Sequence, residues 1–121
     1  VAAGQNDRAQ AAQLARESLA LSDELGDRLM VAEGLERLAR LAIVERATTG
    51  QAVQLLGAAA ALREQINAPR SPSGRAEYER TLAAARRQIG ETAFAARWDA
   101  GHHVTLEEAV ATALAGNTDS G

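Results

Sequence analysis

Cysteine and lysine are both missing from this 121-residue sequence, and aromatic side chains make up only 2% of it. Without cysteine there is no disulfide framework and no thiolate-bound zinc, and nothing in the composition points to secretion. No apolar run approaches the roughly 20 residues needed to span a bilayer, and no signal peptide opens the chain. Phosphate-cradling loops are missing too, since neither G-x-x-x-x-G-K-[ST] nor G-x-G-x-x-G occurs. The net charge is −3 with no long basic run, so the means to neutralise a nucleic-acid backbone are lacking. These absences predict a cytoplasmic chain that binds neither ATP, nor nucleic acid, nor a membrane through these residues.

What is present is alanine. Hydrophobic residues account for 46% of the chain, and 29 of its residues are alanine. Small side chains stabilise through close helix approach rather than through large buried surfaces, which favours an all-α protein. All 13 basic residues are arginine. Residues 63–97 hold seven of them against four acids, whereas 98–121 hold four acids and no arginine. A mildly charged solvated face is the simpler reading of that asymmetry.

The patterning predicts about six helices. The first runs from an N-cap at Asp7 to Leu25, with Ala11, Leu14, Ala15, Leu19, Leu21 and Leu25 on one half of the wheel. Gly26 ends it as a left-handed cap, and Asp27 starts the next. The second, Arg28 to Ala47, leaves only a narrow polar stripe, in which Glu33 with Arg37 and Glu36 with Arg40 stand at i,i+4. Thr48-Thr49-Gly50 breaks it. The third, Gln51 to Ile66, carries Gly57 among alanines, where a glycine permits a close backbone approach. NAPRSPSG at 67–74 holds both prolines and reads as a long turn. A fourth helix spans 75–90. A short fifth holds Phe94 and Trp98 on one face, the expected buried anchor of the closing helices. Thr105 and Glu108 form the capping box of a sixth. Residues 1–68 and 69–116 are thus read as the repeat helices and the closing helices of one domain, with 117–121 a disordered tail.

AAQLARESLALSDELGD at 11–27 is echoed by AVQLLGAAAALREQINA at 52–68. Leu14 aligns with Leu55, Leu21 with Leu62, Leu25 with Ile66, and the stop Gly26 with Asn67. A helical unit recurring at about forty residues marks a repeat array, in which each unit buries its apolar face on its neighbours.

On these residues a resemblance can be stated. Leu38-Ala39, then Ala52, Leu56 and Ala59, resemble the small and large apolar pattern of tetratricopeptide (TPR) repeats. The longer period and the phrase ESLALSDELGD are similar to repeats of the maltose-regulon activator class. The stretch from Gln51 to Gly116 resembles the segment that closes the helical-repeat region in large bacterial ATP-binding regulators of the LuxR type. The resemblance implies a TPR-like antiparallel helix-hairpin array cut from a longer chain. It implies that ATP belongs to a nucleotide-binding domain elsewhere in that chain, and DNA contact to a helix-turn-helix domain. It further implies that this segment receives or transmits a signal by contact with those domains, with a protein partner or with a small inducer. The same module in a cyclase or kinase fusion is the alternative. The apolar end at Val1–Leu14 offers a face for a homodimer.

Local chemistry adds little to that reading. His102 and His103, followed by Glu107 and Glu108, are the sole metal-ligand types in a cluster, the basis of a third reading as a small metal-dependent enzyme. No third histidine and no H-E-x-x-H spacing accompany them, so a turn pair is expected, one packed and one solvated. Ser18, Ser22, Ser71, Ser73 and Ser120 have no base suggested nearby. Ser18 and Ser22 lie one turn apart, where hydrogen bonding to helix carbonyls is the usual fate. Arg63, Arg70 and Arg75 gather around the long turn, as a solvated edge or as a contact for an acidic partner. No catalytic, cofactor-binding or metal-ligating residue is assigned.

Overall fold

The computed structural model describes residues 2–115 and is all-helical. Its six helices are α1 (Ala2–Leu25), α2 (Arg28–Glu45), α3 (Thr49–Ile66), α4 (Pro72–Ile89), α5 (Glu91–His103) and α6 (Leu106–Leu114). They form a helix-hairpin array, as the periodicity predicts, and no described helix is long and apolar enough to cross a membrane. Val1 and the 117–121 tail lie outside the described residues.

The stop signals act where the two copies place them. Gly26 and Asn67 both adopt the left-handed conformation, at φ 72° and 57°. Asp27 then caps α2 by accepting from the Met30 amide at 3.2 Å. Thr105 and Glu108 exchange both capping-box bonds, at 3.0 and 2.9 Å. Three starts differ from expectation. Helix α1 begins at Ala2 rather than Asp7. Helix α3 begins at Thr49, because the break falls on Arg46 and Thr48, which hold φ 58° and 52°. Thr49 and Gly50 therefore belong to the first turn of α3. Helix α4 begins at Pro72, since a proline at the first helical position has no amide to leave unbonded. The turn is correspondingly shorter than 67–74.

The core is centred on α3. Val53, Leu56 and Ala59 are essentially inaccessible there, and Val31, Leu35, Ala39 and Ile43 of α2 meet them from one side. Helix α1 adds Ala15 and Leu19, α5 adds Phe94, and α6 adds Ala109, Val110 and Ala113. Helix α5 crosses α3 at backbone distance. A Cβ on Gly101 would lie 2.9 Å from the Ala58 amide nitrogen and 3.0 Å from the Gly57 Cα. One on Gly57 would run into the Trp98 carbonyl oxygen. The close approach expected of Gly57 is present, and its partner is a second glycine.

Helix α1 departs from its predicted apolar half. Ala15, Leu19 and Ser22 face inward, but Leu14, Leu21 and Leu25 stand in solvent, Leu25 at 74% exposure. Their counterparts in α3, Leu55 and Leu62, are buried. The repeated stripe is covered in one copy and open in the other.

Candidate functional site

The polar feature with the most structure is built on Glu36. It sits on α2 with its side chain only 16% exposed, facing the last turn of α3 and the 67–71 turn. Arg63 of α3 grips it with both arms of its fork, Nε to Oε2 at 2.8 Å and Nη2 to Oε1 at 3.0 Å. The third donor of Arg63, Nη1, bonds the Ala68 carbonyl at 3.0 Å. Arg70 reaches back from the turn to share Glu36 Oε2. Its guanidinium lies over the ring of Tyr78 on α4, 3.3 Å from the centroid. One carboxylate thus ties together α2, α3, the turn and, through the stacked ring, α4.

The electrostatics follow from this geometry. The hydrogen bond to Glu36 raises the Arg63 guanidinium above its ordinary value, against a smaller opposing effect of burial. Burial likewise pushes the Tyr78 phenol up, with the Arg70 charge pulling the other way. Bidentate arginine–carboxylate pairs are directional, so the assembly fixes orientation as well as charge. Beside it opens a cleft of about 450 Å³ whose walls include Leu29, Leu56 and Tyr78. Arg37 and Glu33 also line it, from the exposed side of α2.

This arrangement alters several expectations. Arg63 and Arg70 do come together, but their charges are turned on Glu36 rather than outward. Arg75 is exposed and lines a cleft together with them, but it makes no ion pair with Glu36. Neither i,i+4 pair of α2 forms: Glu36 goes to the two arginines, and Arg40 goes to Glu77 of α4 at 2.9 Å. Sequence spacing named the right residues and the wrong partners. A fork with three acceptors in reach outcompetes a solvated neighbour one turn away.

His102 and His103 fall in the last turn of α5, not in a loop. Each donates from Nδ1 to a carbonyl one turn back, His102 to Trp98 at 3.0 Å and His103 to Asp99 at 2.8 Å. His102 is half-buried and His103 exposed, in keeping with one packed and one solvated. Glu107 is exposed beyond the α6 cap, and among the described residues no three His, Cys, Asp or Glu side chains gather to hold a metal. Ser22 donates to the Ser18 carbonyl at 2.8 Å. Ser71 and Ser73 are exposed 3.2 Å from each other, and Ser120 lies outside the described residues.

Phe94 is buried, with Arg86 over its ring at 4.5 Å. Trp98, expected to be the buried anchor, is only half-buried. It stacks on Phe94 at 5.9 Å and tilts against His102 at 5.3 Å, both on its own helix. The ring of Tyr78 is taken by Arg70. Comparison with family models, with characterised proteins and with solved structures gives no match for this chain.

Proposed function

We propose that the chain is a non-catalytic, TPR-like helical-repeat segment of a larger ATP-dependent transcriptional regulator of the LuxR type, acting in the cytoplasm through protein contact. Its work is to hold or relay: it receives a partner or inducer and passes the change to nucleotide-binding and helix-turn-helix domains of the same protein. The observation that carries this reading is the repeated helix, α1 and α3, set in a hairpin array. An array of this kind offers broad surface without needing a catalytic group. The open stripe of Leu14, Leu21 and Leu25 supports a further contact of the same kind, to an adjoining helix or a second copy.

Two measurements test it together. Titration of the chain with ATP and with labelled duplex DNA at physiological salt gives no saturable binding. The native coding sequence on either side supplies a phosphate-binding loop and a helix-turn-helix. Micromolar, salt-sensitive binding of either ligand to this chain, or flanks lacking both domains, would overturn the proposal.

A further inference from the structure

The cleft beside Glu36 does not stop there. A second one, of about 350 Å³, follows α2 toward its C-terminus, and both are lined by Arg40, Glu77 and Thr81. The Arg40–Glu77 ion pair stands where they meet, so the two clefts adjoin end to end as a groove along α2 and α4, with that pair at its waist. Its lining holds six arginines against three glutamates, in a chain whose net charge is −3. Three of those arginines are committed, Arg63 and Arg70 to Glu36 and Arg40 to Glu77. The other three, Arg37, Arg46 and Arg80, are exposed and make no ion pair or side-chain hydrogen bond among the described residues. Apolar side chains mark the two ends: Leu29 lines one cleft at 40% exposure and Val44 the other at 64%.

We propose that this groove docks an acidic segment of a partner protein bearing an apolar residue near each end. The inference rests on the protein-contact reading above and gives it a place and a chemistry. Leu29 and Val44 are 15 residues apart on one helix, or about 22 Å at 1.5 Å per residue. About seven residues of extended chain cover that distance. Three guanidiniums without partners face the occupant, and carboxylates satisfy them with charge-assisted hydrogen bonds. Of the three glutamates in this lining, Glu36 and Glu77 are already paired with arginine, which leaves the charge of Glu33 to repel a continuous phosphate backbone. A peptide can place its acids clear of it, whereas duplex DNA cannot.

The test uses the whole chain and a fluorescein-labelled peptide of alternating glutamate and alanine with leucine near each end. Its glutamine analogue and a labelled DNA duplex serve as comparisons. Anisotropy reads affinity, and methyl NMR shifts of Leu29 and Val44 read location. The glutamate peptide binds, shifts both methyls and weakens with salt. Arg37→Glu with Arg80→Glu weakens it by about tenfold or more. Both positions are exposed and unpaired, so the variant keeps the helicity of the parent. Absence of saturable binding, equal binding of the glutamine analogue, or tighter binding of the duplex overturns the assignment. If the peptide binds but shifts the α1 leucines instead, the groove is refuted and the protein-contact reading stands. If the flanks lack the expected domains while the methyls shift, the regulator reading fails and the groove stands.

Discussion

At Gly57 and Gly101 a single hydrogen per Cα decides how close two helices come. Substituting alanine into a helix ordinarily gains about 1 kcal/mol over glycine. At Gly101 that gain is overridden, because the added carbon meets backbone of α3, the Gln54 carbonyl oxygen and the Ala58 amide, which cannot step aside. Gly101→Ala should therefore cost about 2–3 kcal/mol net, as overpacked cores do. Gly50 offers the control. The nearest atoms to a Cβ there are the guanidinium end of Arg97, 3.2 Å away, an exposed side chain with one long bond, 3.4 Å, to Gln54. Gly50→Ala should stabilise by about 0.5–1 kcal/mol. Urea denaturation of both variants checks the pair, and the opposite signs are the test. Sequence pointed to Gly57 because glycine is costly amid a run of helix formers. Gly101 gave no comparable signal, sitting at the frayed-looking end of a short helix before two histidines. The aromatic anchor was legible only in part: Phe94 is buried and Trp98 packs against the core, yet small residues at the crossing bring the backbones together and leave its large ring half-buried.

Among the elements, the 67–71 turn owes its place to Glu36. Glu36→Gln keeps the shape but removes the charge that two mostly buried guanidiniums share, with Arg63 only 11% exposed. Breaking such an arrangement from one side costs about 3 kcal/mol. Amide hydrogen exchange should rise first at Ala68 to Ser73, ahead of α2 and α3. A uniform rise across all helices would mean that Glu36 matters only to global stability. Tyr78 gives the same region a pH dependence. Burial favours its protonated form, so that contribution is complete below the unfolded value of about 10 and is lost as pH climbs from there through the raised folded value. Arginine stays charged across this window. The melting temperature should fall above about pH 10, and Tyr78→Phe should fall less steeply. Helix boundaries here were legible only in part. Pro72 reads as loop by composition and acts as a helix start by geometry, because what proline cannot do matters least at a first turn.

For the whole molecule, the repeat was the clearest signal in the sequence, and the two copies do share their length of apolar pattern and their left-handed stops. What sequence could not give was their different surroundings. Leu55 and Leu62 are covered by helices of this chain, while Leu14 and Leu21 are not. The identical pattern therefore carries opposite energetic weight. Leu62→Ala should cost about 2–4 kcal/mol, whereas Leu21→Ala should change stability by less than about 0.5 kcal/mol. Chemical denaturation of the two variants at a protein concentration low enough to keep the chain monomeric checks this, and equal losses would mean the stripe on α1 is already covered.

The glycine crossing also bears on how the chain is partitioned. Its first half supplies α1 to α3, its second half supplies α4 to α6, and the tightest meeting of the two is between α3 and α5, where Gly57 faces Gly101. Severed in the exposed turn at Ser71–Pro72, the two fragments retain complementary surfaces, and Arg63, Arg70 and Glu36 all remain on the same piece. Mixed after such a cut, the two three-helix pieces should reassemble, read as more helical circular dichroism than the sum of the separate pieces, and no gain on mixing would mean that the array needs its connecting turn.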